Sequence, residues 1–233
     1  MTATSTSTIA SFHLVRYDSA RAMKHMAFDR PLLRRAGGLL FWRLLGTGRG
    51  RAMSLGADLR RWALFAVWRD ASDLEEFLSS SSIAARWRTE AAESWQVRLT
   101  PVASHGAWAG RDPFDGRIAR HGGEGPVAVL TRASIRLSRL AAFYRSVPPV
   151  DELLVRQDGC LASIGMGEWP LARQATFSLW RDREAVRAFA YRGEAHRRVI
   201  ERVRAHDWYA EELFARFIPH ASQGTWDGTD PLR

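Results

Sequence analysis

Seven histidines and one cysteine are the side chains in this sequence best suited to hold a metal, and their spacing narrows the chemistry. No H-x-x-x-H or C-x-x-C arrangement occurs, so a zinc site is not expected. Cys160 stands alone, which excludes an internal disulfide framework. Redox chemistry in such a chain needs a bound cofactor, and a cofactor-borne metal needs as little as one imidazole, thiolate, thioether or phenolate from the protein. His196 is the histidine placed for that role. Along the helical stretch after Asp182, Val186, Phe189, Gly193, Val199/Ile200 and Val203 recur at three- and four-residue steps, and His196 falls on their stripe, facing inward. Taken alone, such a position is more often a core histidine bonded to backbone. His206, near the helix end, reads as a cap favoured by the helix dipole. His13, His25, His105, His121 and His220 lie in polar or loop contexts, and Cys160, within Gly159 to Ser163, reads as a small strand residue filling core.

The elements that must position these residues emerge when the chain is compared with itself. Gly106-Ala107-Trp108-Ala109-Gly110-Arg111-Asp112-Pro113 matches Gly224-Thr225-Trp226-Asp227-Gly228-Thr229-Asp230-Pro231, 118 positions apart (224 − 106). Ala63 to Asp70 matches Ala175 to Asp182, 112 apart (180 − 68), and Gly46-Thr47-Gly48 parallels Gly165-Met166-Gly167 at 119 (165 − 46). At the 112 offset His196 corresponds to Ala84, so only the second half carries an imidazole there.

Periodicity predicts strands at Ile9–Arg16 and Val127–Ser134, helical stretches ending near Gly37-Gly38 and Pro148-Pro149, and second strands at Leu39–Leu45 and Cys160–Ile164. Third strands close at Trp68 and Trp180. Asp70 and Asp182 then cap helices over Ala71–Ala92 and Arg183–His206, and Trp95–Pro101 and Trp208–Pro219 supply fourth strands. The order β-α-β-β-α-β, twice, is that of an α+β chain with duplicated ferredoxin-like repeats packed as a dimeric-type α/β barrel. The expected organisation is a disordered tail over 1–8, a first repeat over 9–114, a Gly-rich linker over 115–126 and a second repeat over 127–233.

The formal charge of +9 is carried almost wholly by arginine, Lys24 being the only lysine. Arginines are dispersed and often sit beside acids, without a basic run or an aromatic RNP-like segment, which argues against nucleic acid. The short Ser/Thr-rich start lacks the apolar centre of a secretory signal, and no run approaches the length of a membrane span, so a cytoplasmic location is expected.

Several segments resemble the spheroidene monooxygenase family: Phe41-Trp42-Arg43-Leu44-Leu45-Gly46-Thr47-Gly48, Gly106-Ala107-Trp108-Ala109-Gly110, Val127 to Ala133, Arg145-Ser146-Val147-Pro148-Pro149, Gly165-Met166-Gly167-Glu168, and Trp208 to Phe217. The resemblance runs from about residue 9 to 232. It implies a haem-dependent monooxygenase that oxidises an apolar, carotenoid-like substrate with haem b as cofactor and an electron donor such as a ferredoxin; a homodimer through exposed ferredoxin-like sheet edges and peripheral contact with a membrane are further expectations. His196 matches a histidine of a family segment and becomes the expected iron ligand. Arg132 and Arg216 lie in matching strand segments and are the expected catalytic residues, for arginine suits both a distal donor and the pairing of propionates; each also reads as an ordinary ion-pair arginine. The competing readings are a haem dehydratase or peroxidase on the same scaffold and a non-catalytic haem-binding module. Trp108 and Trp226, present in both halves, read as packing residues, because duplication preserves structural corners.

Overall fold

The computed structural model describes residues 8–48, 57–119, 123–142, 145, 157–169, 173–192 and 208–233. Among the described residues eight strands and four α-helices follow in the order β1 (Ile9–Arg16), α1 (Lys24–Arg35, preceded by a 3₁₀ turn), β2 (Leu39–Gly48), β3 (Ala57–Trp68), α2 (Ala71–Ser80), α3 (Ser82–Glu90), β4 (Glu93–Gly106), β5 (Val127–Ile135), β6 (Cys160–Trp169), β7 (Arg173–Trp180), α4 (Arg183–Arg192) and β8 (Tyr209–Gly224). The strands close into an antiparallel barrel in the order β1-β3-β2-β6-β7-β5-β8-β4. Within it the N-terminal half runs β4-β1-β3-β2 and the C-terminal half β8-β5-β7-β6, the same order twice. The seams between halves are unequal: β4 and β8 pair along Trp95–Gly106, whereas among the described residues β2 and β6 meet only at Gly46–Gly167 and Thr47–Met166.

Alternation along the strands divides inside from outside. Ala10, Phe12 and Leu14, Phe41 and Leu45, Phe65 and Val67, Val97 and Leu99, Leu130, Ile164, Phe177 and Phe217 fill the barrel. The helix expected over 71–92 is two helices. Ser81 is extended (φ −74, ψ 143), and its hydroxyl accepts from the Ala84 amide, so the serine run ends α2 and caps α3. The fourth strands run beyond Pro101 and Pro219, which sit beside register shifts where a missing N–H is tolerated.

The two Gly-x-Trp-x-Gly turns are exchanged between halves. Glu211 of β8 accepts from the amides of Ala109 (2.9 Å) and Gly110 (2.7 Å), while Glu93 of β4 accepts from the Gly228 amide (2.7 Å). Gly106 and Gly224 cross the partner strand so closely, at φ +91 and +89, that an added Cβ would lie about 2 Å from the carbonyl oxygens of Glu212 and Ser94. The turns drive Trp108 (0% exposed) and Trp226 (6%) into the barrel, against Phe41 and Phe65 in one case and Trp95 in the other.

Candidate active site

The helix-facing side of each half-sheet is where the halves diverge. Register fixes equivalent places. In the N-terminal half, His13, Leu64 and Leu44 lie in one row across β1, β3 and β2, with Val15, Trp62 and Gly46 in the next. In the C-terminal half the same rows read Thr131, Thr176 and Gly165, then Ala133, Gln174 and Gly167. A neighbouring row holds Arg216, Val129, Ser178 and Ser163 where the other half has Arg98, Ser11, Ala66 and Trp42. Histidine, leucine and tryptophan in one half are thus threonine, glycine, glutamine and serine in the other.

Burial follows volume. His13 is 2% and Leu64 1% exposed beneath α2 and α3, packed with Phe77 and Trp87. In the second half α4 covers Val127, Val129 and Trp180 through Ala185, Val186 and Phe189, but Thr131 is exposed and Thr176 half-buried. The result is a floor of small side chains, with Phe214 (39% exposed) beside Thr131 on β8.

Polar atoms on this floor are left unsatisfied. Ser163 Oγ and Arg216 Nε are buried and, among the described residues, make no hydrogen bond, an arrangement that costs about 1–3 kcal/mol per group unless a ligand or water completes it. The Arg216 guanidinium is pushed below its ordinary pKa, first by burial and then by repulsion from Arg183 and Arg187 on α4. Three guanidiniums within electrostatic reach of one another, with no ion pair to an acid among the described residues, form a concentrated positive field suited to a dicarboxylate.

Arg132 lies on the other face. It is 5% exposed at one end of the barrel interior, paired with Glu211 and, at 3.6 Å, with Glu168, its guanidinium 5.8 Å from the Trp108 ring centre. Arg43 joins through Glu168 at 2.8 Å. Burial raises the Glu211 carboxyl, but the amides of Gly110 and Ala109 and the Arg132 charge outweigh it and hold the pKa below the usual carboxylate range. Arg132 and Arg216, taken together as catalytic from sequence, therefore face opposite sides of the sheet, and Arg132 has the surroundings of an ion-pair arginine. His196 and His206 lie outside the described residues. His13, on the equivalent floor of the N-terminal half, is buried and its pKa is lowered to about 3 by desolvation. Cys160 is half-buried at the start of β6. Among the described residues no group of three or more His, Cys, Asp or Glu side chains is placed to hold a metal.

Thr131, Thr176, Ser163, Arg183 and Arg187 are not among the site residues read from the sequence, and Gly165 entered that reading only as part of a repeated Gly-x-Gly. The signal was present: at the 118 and 112 offsets His13 pairs with Thr131, Val15 with Ala133, Leu64 with Thr176 and Trp62 with Gln174, each a change from large to small.

Fold and site together define a closed eight-stranded antiparallel barrel with helices outside, one half-sheet packed and the other opened under a cluster of cations. Crystal structures of aldoxime dehydratase share this fold: one in complex with butyraldoxime superposes with a TM-score of 0.66 at 10% identity, covering 98% of this chain and 86% of that one. A second gives 0.60 at 13% identity, covering 93% and 82%. No family model matches the chain. Among curated relatives, the spheroidene monooxygenase of Rhodobacter capsulatus is 33% identical over 229 residues, 96% of this chain and 95% of that protein. The Rubrivivax gelatinosus enzyme of the same name is 37% identical over 191 residues, 82% of this chain and 73% of its own length. The chain belongs to the spheroidene monooxygenase family, and with it to the oxidoreductases of monooxygenase type.

Proposed function

We propose that the opened face of the C-terminal half holds haem b, and that the protein uses it as a monooxygenase on an apolar, carotenoid-like substrate. The observation that carries this reading is the floor itself: a sheet face stripped of large side chains in one half, bordered by guanidiniums without an acid partner among the described residues, while the equivalent face of the other half is filled. A planar macrocycle with two propionates needs both features, a flat space one ring thick and cations at its edge. The residues present fit such a group.

On this reading the halves are copies of one ferredoxin-like unit, supported by their common strand order and exchanged turns. Ala84, the counterpart of His196, is 2% exposed and lies at a cleft with His13 and Trp87; by that sequence correspondence His196 is the residue that would ligate the iron. Arg216, Arg183 and Arg187 would hold the propionates, and Thr131 and Ser163 would present hydroxyls to the group above them. Phe214 and the half-buried Ile218 offer apolar surface to a hydrocarbon chain. The bound haem would supply activation of dioxygen, one oxygen atom going to the substrate and the other to water; the two electrons would come one at a time from a donor such as a ferredoxin and the two protons from solvent.

Reduced protein given isotopically labelled dioxygen and an acyclic carotenoid tests the proposal. The expected product gains the label. A product that loses water without gaining oxygen would replace the reading with a dehydratase.

A further inference from the structure

We propose that α1 is a membrane-docking helix that seats the protein on an anionic bilayer. Its buried side is fixed by Asp29 and Leu33, with Asp29 paired to Arg86 of α3. The exposed surface of α1 and of the turn before it is unusual for a surface helix. Phe28 is 65%, Met23 43% and Leu32 42% exposed, joined by exposed Ala27 and Pro31. Phe28 and Leu32 are one helical turn apart and so project together.

Interleaved with these apolar groups are Arg21, Lys24, Arg30, Arg34 and Arg35, all exposed. Between Ala20 and Ala36 the only acid is Asp29, which is buried, so the exposed face is cationic without internal compensation. Large apolar side chains flanked by long cationic ones match a lipid interface: the rings and aliphatic groups enter the acyl boundary, and the guanidiniums snorkel to phosphates. Pro31 lies within α1 without breaking it. An acidic protein would answer the charge equally well, but it would not by itself call for a phenyl group projecting so far into solvent; charge and apolar exposure together favour lipid.

The inference deepens the proposed function, because an apolar substrate resides in a bilayer, but its test needs neither haem nor turnover. Full-length protein is sedimented with vesicles of phosphatidylcholine alone and of equal parts phosphatidylcholine and phosphatidylglycerol, at low and high salt. Binding is expected only to the anionic vesicles, and to weaken as salt rises. Phe28→Ala with Leu32→Ala is expected to lower the binding constant by at least about tenfold, and Arg30→Glu with Arg34→Glu to abolish binding, while both variants keep the wild-type circular dichroism spectrum and melting temperature. Absence of binding to anionic vesicles at low salt, or binding indifferent to both variants, would overturn the proposal; the first result would assign the patch to an acidic protein. Failure here leaves the Soret absorption untouched, so it is distinguishable from failure of the haem reading.

Discussion

Refilling the opened floor with the residues of the packed half gives the sharpest perturbation. The variant Thr131→His/Ala133→Val/Thr176→Leu installs His13, Val15 and Leu64 at their equivalent places. In the N-terminal half these three are 2%, 2% and 1% exposed, so their shapes suit this sheet geometry. Thr131, Ala133 and Thr176 are exposed or half-buried, so the replacements grow into space without displacing packed neighbours. Burying even part of the added apolar surface contributes about 1–2 kcal/mol to the apo protein, visible as a higher urea midpoint. The same atoms occupy the layer a macrocycle needs, and haem affinity should fall by at least about 100-fold, some 2.7 kcal/mol. Haem titration followed by absorption, beside urea denaturation of the apo form, reads both quantities. A variant that takes up haem like the wild type would refute the assignment of this face.

Other outcomes follow from the same geometry. Arg216→Leu relieves repulsion with Arg183 and Arg187, so the apo protein should be unchanged or slightly more stable in urea, while haem binds more weakly; a loss of apo stability would contradict the cation-cluster reading. Glu211→Ala removes the carboxylate that clasps the Ala109 and Gly110 amides and pairs Arg132, and should cost about 3–5 kcal/mol by denaturant melt. Because the folded Glu211 pKa is depressed, its contribution is fully present above the ordinary carboxylate range and is lost as pH falls through the folded value. His13 is held neutral to about pH 3, so stability should decline as pH drops from 6.5 toward that value, by about 1.4 kcal/mol per unit, and His13→Gln should flatten the slope. Trp108→Ala empties the barrel end and should cost about 3–5 kcal/mol.

Strand identity was legible in the sequence wherever alternation was clean. Ile9–Arg16 has the bounds periodicity predicts, and Asp70 and Asp182 cap their helices by accepting from Asp73 and Ala185. The pairing of Gly46 with Gly165 was displaced by two. In the sheet Gly46 faces Trp62 and Gly167 faces Gln174, so Gly167 is the counterpart, and a Gly-x-Gly pattern looks alike after a shift of two. The break at Ser81 was hidden because the apolar stripe continues through Ile83 and Trp87. At the site, self-comparison directed attention to what the halves share. The proposed site lies in what they do not share, and a change from leucine to threonine carries no motif. The orientation of Arg132 followed from strand parity, since Leu130 and Arg132 point the same way into the barrel, whereas Arg216 alternates with Ala215 and Phe217 and points out.

The absorption spectrum of the haem-supplemented protein beside its His196→Ala variant tests most directly the proposal that iron is held over the C-terminal floor. A Soret band in the wild type that is lost or strongly weakened in the variant, with His206→Ala retaining it, is the predicted result. No Soret band in the wild type, or an unchanged band without His196, would contradict it.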